Sequence, residues 1–255
     1  MAEGGPSEDG SVQVLRKSAR ILDCLSVTSP RLRASEICEL TGLPATTVAR
    51  ILRTLVEEDL LHRDGPYYRV GVRITAWSAA SGSAPDLAAD AATMIEKLRD
   101  AAGESAGLYV RHGNARVCVV QKESAFSIAY RASLLKGVVE TMHAGAAGKV
   151  FMAFDPEAMK AAEVGGFVEY TPKTVVDPAA LQQQLDIVRR RGWAYVADER
   201  EVGLSSLAAP VLGRRGEVVA AVALAGPTHR LTAARAEELA PLVVQCASDI
   251  SQNVR

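Results

Sequence analysis

The chain has 255 residues, of which 48% are hydrophobic and 23% charged, and its formal net charge is −1. This composition excludes wholesale disorder, and the length favours two domains over one. Charged residues interrupt every apolar run of the length that a bilayer requires, and the N-terminus lacks the apolar core of a signal peptide. We therefore expect a soluble, cytoplasmic protein with no membrane partner.

The near-neutral net charge conceals an uneven distribution along the chain. Residues 1–11 are acidic and rich in glycine and serine, which predicts a disordered tail. Residues 12–75 contain ten Lys and Arg against seven Asp and Glu, a net charge of +3. The excess positive charge therefore belongs to one short segment, where contact with a polyanion is possible.

The cysteines and histidines show no spacing typical of a metal site or a disulfide framework. Each is far from the next in sequence, and the four cysteines are Cys24, Cys38, Cys118 and Cys246. We predict buried, reduced thiols, no metal ion and no cofactor.

Residues 12–75 carry the pattern of a winged helix-turn-helix. Apolar spacing and turn signals predict three helices and then two strands, over residues 14–25, 34–40, 44–58, 60–63 and 67–70. The second helix is predicted to turn Ile37 and Leu40 inward. Gly42 can adopt the left-handed conformation of the tight turn, and Pro44 suits the first position of the third helix.

The N-terminal end of the third helix is the predicted DNA-reading segment. Thr46, Thr47 and Arg50 lie away from its apolar stripe, where a recognition helix enters the major groove and contacts bases. Three further arginines are predicted to contact phosphates, Arg53 one turn on and Arg63 and Arg69 in the wing. A protein-interaction module built on the same pattern stays as the alternative at this point.

The remaining residues predict linker helices and then an α+β domain. The linker helices occupy residues 76–102, with a hinge at residues 82–85 and Asp86 as a helix cap. The domain of residues 103–255 alternates strand and helix signals around an antiparallel sheet. Its strands are predicted at residues 105–110, 115–122, 127–132, 193–197, 204–212 and 218–225, and its helices at residues 144–154, 178–191 and 233–254.

A series of short motifs resembles the IclR family of bacterial transcription regulators, from about residue 14 to residue 254. The motifs are residues 35–37, 41–44, 47–52 with Leu55, 68–71, 143–149, Glu199 with Gly203, 208–211, 226–227, 230–232 and 250–251. Each is short, and their common order along the chain makes coincidence improbable.

The resemblance implies a fold and an assembly. The fold is an N-terminal winged helix-turn-helix, a linker helix and a C-terminal effector-binding domain related to GAF and profilin-like folds, with a central antiparallel sheet. The family typically forms a homodimer, often paired into a dimer of dimers, and a two-fold protein reads a pseudo-palindromic operator in double-stranded DNA. We expect a ligand-responsive repressor.

The resemblance also implies a pocket for a small-molecule effector. Ala146 and Ala147 would line it from a helix start, and Leu204 from a strand start. Family members that bind small oxo-acids have polar residues at four further positions, which here are Val196, Ser206, Ala223 and Ala225. Three of these are apolar, and an unpartnered carboxylate is costly to bury. We therefore expect an apolar or aromatic metabolite, with Ser206 as a polar handle; a pocket that binds nothing is the alternative.

No set of residues in the sequence indicates catalysis. His143 precedes a glycine-rich run with Lys149 nearby, but that run lacks the spacing of a phosphate loop and no nucleophile accompanies it. Close packing at a helix start is the simpler interpretation. We predict no catalytic residue. The alternative from another class is a small-molecule-binding enzyme or sensor whose winged helix serves only dimerisation.

Overall fold

The structure, a computed structural model, describes residues 12–26, 29–80, 83–124, 137 and 139–254. The chain divides into two compact units, of which the first ends at Ser81 and the second begins at Gly82. The predicted tail of residues 1–11 and the whole of the predicted strand at residues 127–132 lie outside the described residues.

The first unit contains four helices and a three-stranded sheet. Its elements are α1 (Gln13–Asp23), β1 (Leu32–Arg33), α2 (Ala34–Thr41), α3 (Ala45–Glu57), β2 (Leu61–Asp64), β3 (Tyr67–Val70) and α4 (Val72–Ala80). The strand order is β1-β3-β2, with both pairings antiparallel. The predicted winged helix-turn-helix is confirmed. Strand β1 was not predicted, because two residues are too few to show an alternating pattern.

The core of the first unit is formed by the buried faces of its helices and the inner face of its sheet. Ile21, Ile37, Leu52 and Leu61 are almost fully buried in it. The prediction that Leu40 faces inward is wrong, because its side chain is 65% exposed. The buried position at that end of α2 belongs to Thr41, whose hydroxyl satisfies itself by donating to the Ile37 carbonyl oxygen.

The turn between α2 and α3 has the left-handed glycine that its sequence predicts, whereas Pro44 caps α3 instead of occupying its first helical position. Gly42 is left-handed at φ 65° and ends α2, and its N–H donates to the Cys38 carbonyl. Pro44 is the residue before the first helical position, and its carbonyl accepts from the N–H groups of Thr47 and Val48. This turn fixes where α3 starts and which of its residues point outward.

The second unit is a six-stranded antiparallel sheet with helices on both faces. Its helices are α5 (Ser83–Ala102), α6 (Ala146–Phe154), α7 (Pro156–Gly165), α8 (Pro178–Arg191) and α9 (Ala233–Gln252). Its strands are β4 (Ser105–His112), β5 (Ala115–Lys122), β6 (Val139–Thr141), β7 (Ala194–Ala197), β8 (Leu204–Leu212) and β9 (Val218–Pro227). The strand order is β6-β5-β4-β9-β8-β7. The predicted α+β class with a central antiparallel sheet is confirmed.

Alternation along the central strands divides the second unit into two cores. In β9, Val222 and Leu224 face α5 and α9, whereas Ala221, Ala223 and Ala225 face α6 and α8. The second face therefore carries small side chains at the middle of the sheet. Small side chains leave room between the sheet and α6.

Several boundaries in the second unit differ from the prediction. Helix α5 begins at Ser83, so residues 83–85 are helical and Asp86 lies inside the first turn instead of capping it. Pro85 does not prevent this, because proline is tolerated in a first helical turn. Helix α7 and strand β6 were not predicted; α7 is only 10 residues long, and β6 has three.

None of the four cysteines, all of which lie in the described ranges, forms a disulfide. Cys118 and Cys246 are buried as predicted, whereas Cys24 and Cys38 are half-buried. Among the helices of the described ranges, none combines the length and the apolar character needed to cross a bilayer.

Candidate functional site

The exposed face of α3 is the first candidate site. Val48, Ile51, Leu52 and Leu55 are buried, as the periodicity predicts. Thr46, Arg50 and Arg53 are exposed, and their spacing places them within about 60° of one another around the helix axis. Thr47 is half-buried beside them. Within the described residues, no carboxylate forms an ion pair with either arginine, so both guanidinium groups are available to a polyanion.

The two predicted wing arginines lie on opposite faces of the small sheet. The register pairs His62 with Arg69 and Arg63 with Tyr68, and directly paired residues share a face. Arg63 lies over the Tyr68 ring at 5.9 Å and donates from Nε to the Gly65 carbonyl. Arg69 is exposed on the outer face. Arg63 and Arg69 therefore cannot both contact the same phosphate.

A cavity between the sheet and the start of α6 is the second candidate site. Its empty volume is about 450 Å³ when the solvent at its opening is included, and the enclosed space is about 30 Å³. That space holds only a few water molecules, so a larger ligand requires the walls to move. All seven residues predicted for the effector pocket line this cavity, and they are Ala146, Ala147, Val196, Leu204, Ser206, Ala223 and Ala225. Six of the seven are apolar, and Ser206 Oγ accepts a hydrogen bond from the Ala146 N–H at 3.1 Å.

The same cavity has a charged end that the sequence reasoning missed. Arg116 of β5, Glu140 of β6 and Arg200, which follows β7, line it together with Tyr109 and Glu199. Glu140 lies between the two arginines, at 2.8 Å from Arg116 Nη2 and 3.0 Å from Arg200 Nη1. Arg116 and Glu140 are 4% and 3% exposed, whereas Arg200 is 28% exposed. The Arg200 end of this cluster is therefore the one open to solvent.

Arg116 also fixes the segment that leads into α6. Its guanidinium donates to the Ala144 carbonyl at 2.9 Å and to the Thr141 carbonyl. Its Nε has no hydrogen-bond partner in the part of the chain that the structure describes. One donor of this buried cation is therefore unused, and a buried unpaired donor is costly unless something binds it.

A second buried ion pair lies behind the cavity wall. Lys149 Nζ contacts Glu199 Oε1 and Gln184 Oε1, and the lysine is almost fully buried. Burial lowers the pKa of Lys149, and Glu199 partly opposes that shift. Glu199 Oε2, like Arg116 Nε, is buried and has no hydrogen-bond partner among the described residues, so two residues of the cavity lining each have an unused polar atom.

The electrostatics of the cavity favour one negative charge. Arg116, Lys149 and Arg200 supply three cations against the carboxylates of Glu140 and Glu199. The N-terminus of α6 adds a partial positive charge at the same place. Burial and the Glu140 carboxylate raise the pKa of Tyr109 well above its usual range, so its hydroxyl stays neutral.

His143 packs beside the cavity wall. Its Nε2 donates to the Val168 carbonyl at 2.8 Å, and its ring lies against Phe167 and Tyr170. Burial lowers the pKa of His143. The contacts agree with a packing role at the start of α6.

The sequence contained little signal for the charged end of the cavity. Arg116 and Glu140 are adjacent only because β5 pairs with β6, and Arg200 reaches Glu140 from beyond β7, the other edge strand of the sheet. One signal was available: Arg116 directly precedes the apolar residues 117–120 of β5, and a charged residue that is buried in a strand needs partners.

Comparison with known proteins gives matches over nearly the whole chain. The family model of the IclR helix-turn-helix domain matches residues 14–65, and that of the bacterial transcriptional regulator IclR C-terminal domain matches residues 79–252. The glycerol operon regulatory protein of Streptomyces griseus is 33% identical over 249 residues, covering 96% of this chain and 97% of that protein. The transcriptional repressor IclR of Escherichia coli (strain K12) is 25% identical and covers 95% and 90%. A solved IclR transcriptional regulator from Alicyclobacillus acidocaldarius, 24% identical, superposes with a TM-score of 0.80 over 95% of this chain and 98% of that one.

Proposed function

The chain belongs to the IclR family of bacterial transcriptional regulators, and from that premise we propose how it reads DNA and what it senses. It represses transcription from a pseudo-palindromic operator, and a small aromatic or apolar acid in the cavity changes its operator affinity. The observation that carries the ligand class is one cavity whose lining combines six apolar side chains with two arginines, Arg116, which is buried, and Arg200, which is 28% exposed.

DNA reading is assigned to the exposed face of α3 and to the wing. Thr46, Thr47 and Arg50 contact bases, because they lie at the N-terminal end of the recognition helix. Arg53, Arg63 and Arg69 contact phosphates. Repression is supported by the name of the Escherichia coli relative, a transcriptional repressor.

Arg50→Ala tests the base-reading assignment. The probe is a duplex selected from a random-sequence library by the wild-type protein, with a scrambled duplex of equal composition as reference. Loss of a bidentate contact with guanine costs roughly 1–3 kcal/mol on the selected duplex and much less on the scrambled one. Arg214→Ala, which removes an exposed charge from the second unit, is the matched control. Equal affinities of wild type and Arg50→Ala for the selected duplex would remove Arg50 from base reading.

A two-fold assembly completes the proposal, as a homodimer that pairs into a dimer of dimers. Val14 and Leu15 of α1 are 48% and 67% exposed, and Trp77 of α4 is 55% exposed. Apolar surface of this kind is a candidate for a subunit interface. Light scattering with the selected duplex and with half of it measures how many chains bind each.

The ligand class follows from the two ends of the cavity. Ala147, Val196 and Ala223 remove apolar surface from water, while Arg116 Nε provides a free donor for a carboxylate. A carboxylate bound there has charged hydrogen-bond donors that offset the cost of burying it. Glu199 Oε2 can accept a hydrogen bond from a hydroxyl of the same ligand.

Calorimetric titration with four probes tests the ligand class. Benzoate has both the apolar body and the charge, benzamide keeps the body without the charge, and pyruvate and glyoxylate keep the charge with little apolar surface. We expect benzoate to bind most tightly of the four. Binding of pyruvate or glyoxylate alone contradicts the apolar requirement, and equal binding of benzamide and benzoate contradicts the charge requirement.

The proposal also assigns the chain no catalytic role and places it in the cytoplasm with the chromosome. The side chains that line the cavity include no histidine among the described residues, so Ser206 has no imidazole base beside it there. Incubation of the protein with a panel of aromatic esters and amides, followed by product chromatography, tests this. If the wild type converts one of these compounds and Ser206→Ala abolishes that activity, the second unit is an enzyme and the regulator proposal fails for it.

A further inference from the structure

The outer face of the wing sheet carries a group of arginines around one tyrosine. The register pairs Arg33 with Tyr67 and Tyr67 with Asp64, so these three residues share a face. Arg31 lies two residues before Arg33 and points to the same side, and Arg69 lies two residues after Tyr67. Leu32, between the two arginines, is buried on the opposite, inner face.

Arg31, just before β1, and Arg33, within it, both lie over the ring of Tyr67. The Arg31 guanidinium carbon is 5.0 Å from the ring centroid, and that of Arg33 is 5.1 Å from it. Arg33 Nη2 also donates to the Tyr67 hydroxyl at 3.0 Å. Cation–π contacts of this kind restrict the side chains, so less rotamer entropy is lost when a ligand binds them.

Neither guanidinium group is neutralised by a carboxylate in the ranges that the structure describes. Glu36 is the nearest acid in sequence, and its carboxylate accepts the backbone N–H of Arg33 at 2.6 Å, where it caps α2. Asp64 gives the face one negative charge against the positive charges of Arg31, Arg33 and Arg69. Arg31 and Arg33 are both exposed. Two exposed cations beside one ring, without a carboxylate partner in those ranges, are available to an anion.

We propose that Arg31 and Arg33, held on the Tyr67 ring, form a phosphate-binding site for the backbone of duplex DNA. Arg33 immediately precedes α2, the first helix of the helix-turn-helix, and in such proteins that helix crosses the DNA backbone. The site adds affinity and sets the orientation of α3, and it reads no base. It rests on the proposed DNA-binding function and extends it to Arg31 and Arg33, at and just before β1. This pair, the β1 site, lies outside α3 and the β2–β3 wing.

The salt dependence of DNA binding tests this site. Affinities of the full-length wild type, of Arg31→Ala/Arg33→Ala and of Arg214→Ala are measured at several KCl concentrations on the selected and the scrambled duplex. The slope of log K against log[salt] is negative, and each lost phosphate contact reduces its magnitude by about 0.9. We expect a slope smaller in magnitude by roughly 1–2 for the double variant, an equal fold-loss of affinity on both duplexes and no change for Arg214→Ala.

Two variants of Tyr67 separate the contribution of its ring to DNA binding from that of the two arginine charges. Tyr67→Leu keeps both arginines and removes the ring, and we expect several-fold weaker binding to both duplexes. Tyr67→Phe keeps the ring and loses only the hydroxyl, and we expect a smaller loss. Equal affinities of wild type and Tyr67→Leu would overturn the role of the ring.

The outcomes distinguish this inference from the function on which it rests. If the wild type binds the selected duplex and Arg50→Ala weakens that binding, an unchanged slope for the double variant overturns the β1 site alone. A loss confined to the selected duplex also overturns it, since that indicates base reading. If the wild type selects no duplex, the proposed function fails first. Circular dichroism of each variant, and Arg31→Lys/Arg33→Lys as the charge-preserving pair, exclude misfolding as the cause of a loss.

Discussion

Replacement of Glu140 by glutamine should have opposite effects on stability and on ligand binding. The carboxylate is 3% exposed and lies between Arg116 and Arg200. Glutamine has nearly the same shape and no charge, so the variant leaves two close cations without their shared anion. A ligand that brings a negative charge to the cavity would then supply what the protein has lost.

The expected magnitudes follow from burial and charge. Breaking a buried ion pair from one side costs roughly 3–5 kcal/mol, which lowers the melting temperature of a unit of this size by roughly 6–20 °C. A ligand carboxylate within about 8 Å of the removed charge gains roughly 2 kcal/mol at an effective dielectric constant near 20, on the order of thirtyfold in affinity.

Thermal unfolding followed by circular dichroism measures the first effect, and calorimetric titration with benzoate measures the second. Glu201→Gln is the matched control, because Glu201 follows Arg200 and its side chain is exposed. We expect that variant to melt and bind as the wild type does. A lower melting temperature with unchanged benzoate affinity would refute the anionic end of the ligand, and an unchanged melting temperature would refute the ion-pair reasoning itself.

Two further changes test how the start of α6 is packed and titrated. A Cβ on Gly148 would lie 1.9 Å from the Met142 carbonyl oxygen, so Gly148→Ala should lower the urea midpoint of unfolding, although alanine favours helices over glycine by about 1 kcal/mol. The control is the reverse change at the neighbouring position, Ala147→Gly, which should destabilise the protein by only about that amount. A Gly148→Ala variant more stable than the wild type would contradict the close packing. Burial lowers the pKa of His143 from 6.5, so its contribution to the free energy of unfolding is complete above that pH and declines as the pH falls below it. Urea titrations at about pH 7.5 and about pH 5 should show a smaller decline for His143→Gln than for the wild type, and equal declines would exclude His143 as the titrating group.

Much of the first unit could be predicted from the sequence because its signals are local. The apolar stripe of α3 recurs at helical spacing, and Gly42 marks a turn that few other residues can make. Leu40 shows the limit of such reasoning. Periodicity over eight residues does not determine which side of the helix is buried. Thr41 is buried instead, because its hydroxyl donates a hydrogen bond to the Ile37 carbonyl oxygen.

The apolar side of the cavity was predictable, and the charged side was not. Ala223 and Ala225 belong to a strand whose alternation is visible in the sequence, and the family resemblance assigned them to a pocket. Arg116, Glu140 and Arg200 come together only through sheet pairing and the path of the chain after β7. Contacts between residues so distant in sequence leave no periodic pattern.

The position of the Glu140–Arg200 pair would let the cavity respond to the proposed ligand. Glu140 belongs to β6 and Arg200 follows β7, and these are the two edge strands of the same sheet. An anion near Arg200 competes with Glu140, so the pair is weaker in the occupied cavity than in the empty one. A ligand shifts a conformational equilibrium only by its difference in affinity between the two states. Benzamide, which lacks the charge, should therefore leave the Arg200–Glu140 contact intact even where it fills the apolar end.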